Sequence, residues 1–433
     1  MSASWVYIED IPKIQEGEIE IRGWLFNKRS SGKVVFLIIR DGTGYIQGVA
    51  TLDNFTQEEL DSFEKIPIES SIIVIGDLKK EPRAPGGYEL MLKKVNVVSY
   101  SEEYPIQKKD HSIDFLLERR HLWIRSRKQN AILRIRSEVI KAIRDFLDSK
   151  GFVLVDAPIL TPSACEGTTT LFSLDYFDLG KAYLSQSGQL YMESACMALG
   201  KVYCFGPAFR AEKSKTRRHL TEFWMVEPEM AYWDWQDNMN LQEELVSYVV
   251  QRVLEKRKRE LEILERDTKP LENVVPPFPR ITYREAIEIL KNNGLNVEYG
   301  DDFGGDEETI ISNQFDKPVF IHHYPAKIKP FYMQPDPENP DEVLNNDLLA
   351  PEGYGEIIGG SQRIHDLKLL EEKIKEYNLP REAFEWYIDL RRYGSVPHSG
   401  FGLGIERTVA WICGLKHVRE AIPFPRMIYR IYP

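Results

Sequence analysis

The chain of 433 residues is poor in cysteine, and its four (Cys165, Cys196, Cys204 and Cys413) never fall in a CxxC spacing. That excludes a zinc ribbon and a disulfide framework and fits a reducing cytoplasm. No apolar run reaches the roughly 20 residues that a membrane-spanning helix needs. The opening segment, MSASWVYIEDIPK, lacks the basic flank and apolar core of a secretory signal. Positive charge is also in deficit. The 56 lysines and arginines face 67 acidic residues, a net charge of −11 that argues against a general nucleic-acid coat protein. It leaves room for a local positive stripe on phosphates. No fixed-period repeat, long low-complexity tract or Walker-type lysine loop is present. What remains is an ordinary globular balance, 42% hydrophobic and 28% charged, in a chain long enough for two or three domains.

Residues 17–100 read as short strands. GEIEIRGWLF alternates apolar and polar residues, and VVFLIIRDGTGYIQGVAT gives two β-rich runs across an Asp-Gly-Thr-Gly turn. SSIIVIGDLKKE and YELMLKKVNVVSY supply further strands, and Thr56–Lys65 a helix. About five strands match a small closed barrel of the oligonucleotide-binding type; any small all-β module fits the strand pattern as well. Residues 104–128 read as a hinge with basic clusters at Lys108-Lys109, Arg119-Arg120 and Arg125-Arg127-Lys128, suited to tracking a phosphate backbone or simply to linking domains. From Asn130, the spacing of Ile132, Ile135, Val139, Ile143 and Phe146 predicts an amphipathic helix. A long charged helix is expected over Met239–Glu265, and insertions over a sheet across Pro270–Pro340. The domains expected are thus 1–103, a hinge 104–128, and 129–433.

Two distant stretches carry the chemistry. In FRAEKSKTRRHLTEF, Arg210 ends a strand and a basic, hydroxyl-rich loop follows before a second strand. Such a hairpin suits Arg210 to an anionic group, since a guanidinium fork can hold a carboxylate and an α-phosphate together. Phe223 offers a flat face to a base, and Arg218 and His219 reach toward outer phosphates. An exposed cationic hairpin is the bland alternative. In GFGLGIER, a strand packs close to a ligand and a helix starts near Ile405, with Arg407 one turn in and aimed at a terminal phosphate. The dinucleotide fingerprint does not apply, because too little chain remains for its βαβ unit. A glycine-rich helix–sheet contact is the competing account. In PEGYGEIIGGSQR, Glu352 and Glu356 suit Mg²⁺, which keeps most of its water and bridges phosphates; a structural turn is the alternative.

FVLVDAPIL, FRAE…RHLTEF and GFGLGIER resemble, in order, motifs one, two and three of the class II aminoacyl-tRNA synthetases, and no HIGH or KMSKS signature of class I is present. GWLFNKRSSGKVVFLIIRD and RRHLWIR are similar to the anticodon barrel and hinge of the aspartyl, asparaginyl and lysyl subgroup. The resemblance covers essentially the whole chain. It implies an α+β fold: an N-terminal barrel, then a catalytic domain with an antiparallel sheet flanked by helices. It also implies ATP and Mg²⁺ as cofactors, a tRNA partner, and a homodimer with Pro158 at its interface.

The resemblance further implies roles for single residues. Glu166 and Gln189 would hold the substrate α-amino group, Glu212 would read the adenine amino group, Phe223 would stack on the ring, and Glu356 would carry Mg²⁺. In the barrel, Phe36 would stack on the central anticodon base, with Arg29 and Gln47 on its neighbours. Within the subgroup, aspartyl enzymes typically carry SPQLYKQ, whose lysine pairs with the substrate carboxylate. Here the stretch runs Ser187-Gly188-Gln189-Leu190-Tyr191-Met192-Glu193, so methionine replaces the lysine. Glu227 would accept from an amide NH₂ and repel a carboxylate, while Arg363 would donate to the amide carbonyl. The substrates expected are therefore L-asparagine and tRNA(Asn). The rivals are an aspartyl enzyme, a synthetase-like asparagine synthetase, and an RNA-binding module on a degenerate catalytic body. EGTTTLF, Gly359 and FPRMI depart from the commoner patterns.

Overall fold

The computed structural model describes residues 3–14, 16–162, 164–165, 171–214 and 216–433. The chain divides into two compact units, Met1–Ser112 and Ile113–Pro433.

In the first unit, five strands close on themselves: β1 (Gly17–Ser31), β2 (Val34–Arg40), β3 (Tyr45–Thr51), β4 (Ser71–Lys80) and β5 (Tyr88–Ser99). They run in the order β1-β2-β3-β5-β4, and pairing of β4 with β1 completes the barrel. Alternation sends Ile19, Ile21, Leu37, Ile39, Ile72, Val74, Leu90 and Leu92 inward, each at most 3% exposed. The Asp-Gly-Thr-Gly turn holds because the Asp41 carboxylate accepts from the Thr43 and Gly44 amides, at 2.7 and 2.8 Å. Helix α1 (Gln57–Lys65) starts in a reciprocal cap between Thr56 and Glu59.

The second unit is built on an eight-stranded sheet. Its strands are β6 (Val153–Leu154), β7 (Lys201–Phe209), β8 (Glu222–Ala231), β9 (Arg280–Thr282), β10 (Val319–His322), β11 (Asn345–Ala350), β12 (Gly355–Gln362) and β13 (His398–Gly404). The order is β9-β10-β11-β12-β13-β8-β7-β6. The six central strands are antiparallel, and only the short edge strands pair in parallel. Helix α2 (Arg127–Ser149) buries Ile132, Ile135, Val139, Ile143 and Phe146, the residues whose spacing predicted it. It packs with α4 (Trp235–Lys256) and α9 (Ile405–Cys413) in one core. Helix α3 (Gln189–Leu199) lies against β7 and β8. Helices α5 (Tyr283–Asn292), α6 (Gly305–Ser312), α7 (Leu367–Glu376) and α8 (Arg381–Arg392) cover the remainder. Among the described residues no helix is long and apolar enough to cross a membrane.

Three sequence expectations change. The long charged helix starts at Trp235 rather than Met239 and breaks at Arg257. Residues 270–340 are not only insertions: β9 and β10 extend the sheet itself. The stretch 104–128 divides at residue 112, and its second part is helical over Ile113–Glu118 and Arg120–Trp123. Arg120 is fully buried there; it donates to the carbonyls of Pro423 and Ile422 at 2.8 and 2.9 Å and to Gln129 Oε1 at 2.7 Å. Its guanidinium serves the folded body rather than a polyanion.

Candidate active site

Two clefts meet on the second unit. The first spans about 810 Å³, part of it open to solvent, and is lined by Arg210, Glu212, Arg218, His219, Phe223, Glu356 and Arg407, all singled out in the sequence. The second, about 1450 Å³, is lined among others by Gln189, Arg210, Glu227, Glu356 and Arg363. Arg210, Met225, Glu356 and Gly402 border both, so the arginine just past the end of β7 stands where the two spaces join.

The first cleft follows from the sheet. β7 and β8 form a hairpin in which Phe209 pairs with Glu222 and Ala208 with Phe223, which sets Arg210 beside Phe223. The guanidinium carbon of Arg210 lies 5.4 Å from the Phe223 ring centre. β13 pairs with β8 and leads straight into α9, which delivers Arg407 from the other side. Glu406, next to it, is buried: it pairs with Arg136 of α2 at 2.7 Å and accepts from the Trp224 amide at 3.0 Å. That double tie fixes the first turn of α9 and hence Arg407. Arg407 donates to the Glu356 carbonyl at 2.9 Å and approaches its carboxylate at 3.4 Å.

Burial pushes the Glu356 carboxyl up, but Arg407, Lys329 and Arg210 outweigh it and hold the group below the usual carboxylate range. Glu308 of α6 fares differently. Burial and the neighbouring Glu356 charge push it up to about 7. Burial, with Arg407 nearby, lowers the His219 ring below its ordinary value, against the opposing pull of Glu212. Arg218 borders the cleft, yet its guanidinium is already engaged: it donates to Glu308 at 2.9 Å, to Thr309 at 2.6 Å and to the Gly353 carbonyl at 2.5 Å. The sequence had assigned it to outer phosphates. Glu352 leaves the site altogether, because Arg266 grips both of its oxygens at 2.8 and 2.5 Å.

The second cleft has an ionic floor. Arg363 forks onto Glu229 (3.0 and 2.9 Å) and donates to Ser361 Oγ at 2.8 Å. A guanidinium has five N–H groups, so two of them remain for a ligand. Gly400 is required beneath this pair, since a Cβ there would lie 2.0 Å from Glu229 Oε2. Glu227 lines the same cleft, with its carboxylate held by Ser187, Gly188 and Cys204. Gln189 donates to Glu193 at 3.1 Å. Glu193 also receives Tyr387, Arg391 and His398, a fully buried cluster. Burial raises Glu193, but Arg391, His398 and Arg363 override it and hold the carboxyl well below its ordinary value. Met192 sits 1% exposed among Cys196, Val202 and Cys204 and does not line the cleft. Glu166 lies outside the described residues. Sequence reasoning missed Glu229 and Glu193 as supports; a carboxylate facing an arginine more than a hundred residues away leaves no local signal.

The barrel residues converge as well. The Arg29 guanidinium covers the Phe36 ring at 4.4 Å and donates to Gln47 Oε1 at 3.4 Å, and Gln47 in turn reaches Glu89 at 3.4 Å. β1–β2 register places Arg29 opposite Phe36.

Comparison with known families decides the lineage of this architecture. The profile described as tRNA synthetases class II (D, K and N) matches residues 112–428, and that of the OB-fold nucleic acid binding domain matches residues 19–98. The chain belongs to the class II tRNA synthetases of the D, K and N group. An asparagine–tRNA ligase of Pelotomaculum thermopropionicum is 60% identical to it over 428 residues, 99% of either chain. One from Thermus thermophilus is 56% identical over 436 residues, 99% of this chain and 100% of the other. A solved asparaginyl-tRNA synthetase of Pyrococcus horikoshii, complexed with asparaginyl-adenylate, matches over 100% of both chains with a TM-score of 0.96 and 49% identity. The sheet and barrel described above are thus those of a class II synthetase with an OB-type domain.

Proposed function

We propose that this synthetase attaches L-asparagine to tRNA(Asn) through an asparaginyl-adenylate, consuming ATP and releasing AMP and pyrophosphate. One observation carries the choice of amino acid: an acceptor, Glu227, and a donor, Arg363, line the same cleft, which adjoins the Arg210 cleft. A carboxamide satisfies both groups, whereas a carboxylate meets Glu227 with like charge.

The amino-acid carboxylate attacks the α-phosphorus in line. It is already a competent nucleophile, so the protein contributes alignment and charge stabilisation. Arg210, at the junction, holds the carboxylate and the α-phosphate together. Phe223 stacks on adenine, Glu212 reads its amino group, and Arg407 takes a terminal phosphate with His219 nearby. Arg218 orders the loop from its anchor on α6. Gln189 and Glu166 hold the α-amino group.

The Glu356 and Asp347 carboxylates fit Mg²⁺. A Cβ on Gly359 would come 3.1 Å from Glu356 Oε1 and 3.6 Å from Asp347 Oδ1, so the glycine keeps this oxygen-lined corner open. Among the described residues no group of three or more His, Cys, Asp or Glu side chains forms a metal cage. Bound there, Mg²⁺ would neutralise phosphate charge. In the barrel, Phe36, Arg29 and Gln47 take the anticodon. The exposed run Val153, Leu154, Pro158, Ile159 and Leu160 supports a homodimer interface, and the enzyme works in the cytoplasm.

ATP–pyrophosphate exchange on purified protein tests the reading. Asparagine should support exchange and aspartate should not; aspartate-dependent exchange would make it an aspartyl enzyme.

A further inference from the structure

We propose that Ser187 and Gly188 are positioning residues that set selectivity for a carboxamide over a carboxylate by clamping Glu227; the proposal rests on the functional reading above.

Glu227 is 7% exposed and stands on β8 directly opposite Cys204 of β7. The strands fix its backbone, but a glutamate side chain keeps three rotatable bonds that the sheet does not set. The turn entering α3 fixes them. The Ser187 hydroxyl donates to Oε1, and the Gly188 amide donates to Oε2 at 2.7 Å. An ionised carboxylate can only accept, so the Ser187 proton lies on the Glu227 side, while Ser187 Oγ itself accepts from the Gln189 amide at 3.1 Å. Cys204 Sγ adds a weaker donor to Oε2 at 3.4 Å.

Two consequences follow for selectivity. With donors on both oxygens, the carboxylate presents only lone pairs to the cleft, so it accepts from an amide NH₂ and cannot donate to a substrate carboxylate. Its position is also fixed within the cleft that Arg363 lines, so one amide can meet an acceptor and a donor there. Gly188 is needed for this twice over. Its N–H is one of the clamps, which proline would lack. A Cβ there would lie 2.6 Å from Cys204 Sγ, 2.9 Å from Ala157 Cβ and 3.2 Å from Glu227 Oε2.

The test compares kcat/KM for asparagine and aspartate in ATP–pyrophosphate exchange, alongside the KM for ATP. Loss of one charge-assisted donor in Ser187→Ala should lower asparagine kcat/KM about tenfold and reduce the asparagine-to-aspartate ratio, with ATP KM unchanged. Ser187→Thr should restore it. Because crowding at position 188 endangers folding, Gly188→Pro and Gly188→Ala are each combined with Cys204→Ala, which frees space. The alanine pair keeps the N–H and should retain a higher ratio than the proline pair. A wild-type preference for asparagine that survives undiminished in Ser187→Ala and in the proline pair would overturn the clamp alone. A wild-type enzyme with no such preference would overturn the functional reading, and the clamp with it.

Discussion

Arg363 and Glu229 meet in a parallel two-pronged contact, Nε to Oε1 at 3.0 Å and Nη2 to Oε2 at 2.9 Å, with both side chains buried. Burial pushes the Glu229 carboxyl up while Arg363 opposes the rise. Removing one partner strands the other's charge. Glu229→Gln should therefore cost about 3–5 kcal/mol of stability, as broken buried pairs do, and raise the KM for asparagine by freeing Arg363 to turn. Chemical denaturation and exchange kinetics read the two effects separately.

Arg210 borders both clefts, and the proposed reaction puts it at the reacting centre. Arg210→Ala should abolish detectable exchange, a loss of at least about 10²–10³-fold, with the melting temperature little changed. Near-normal exchange in a folded variant would remove Arg210 from that role.

The barrel pair separates binding from chemistry. Phe36→Ala and Arg29→Ala should each raise the KM for tRNA about tenfold or more, since stacking of a base on an aromatic contributes about 1–3 kcal/mol. Asparagine-dependent exchange, which needs no tRNA, should be untouched. Filter binding and exchange on the same preparations check both halves.

Stability should depend on pH through His322. Burial and its neighbour His323 push this ring from 6.5 down to about 4; Glu285 and Glu342 oppose the shift while Arg280 adds to it. The folded protein thus binds fewer protons than the unfolded chain between those values, so stability falls as pH drops from 6.5 toward 4. His322→Asn should flatten the slope of melting temperature against pH across that window.

The sequence displayed the parts whose logic is local. Period-two alternation announced the barrel strands, helical spacing announced α2, and the basic loop and glycine run announced residues that border one cleft. Glu227 and Arg363, singled out through matched motifs, line a second cleft together. Arg120 was not legible, because a charge pattern carries no sign of burial, and its carbonyl acceptors lie about 300 residues onward. Arg218 stood in a loop that looked free, yet α6, which captures it, reads as a polar insertion. Glu193 looked like one more helix carboxylate; only the fold gathers Tyr387, Arg391 and His398 around it.

Strand β13 lies between β12 and β8 in the sheet yet is the last strand of the chain, at residues 398–404. During synthesis, the edge of β8 that faces it stays without a partner until residues 398–404 have emerged from the ribosome. A chain that stops before residue 398 can still make its barrel, but it holds an open hairpin edge and no Arg407. Arrest before that point should therefore leave a fragment with an unpaired strand edge, open to pairing with another chain.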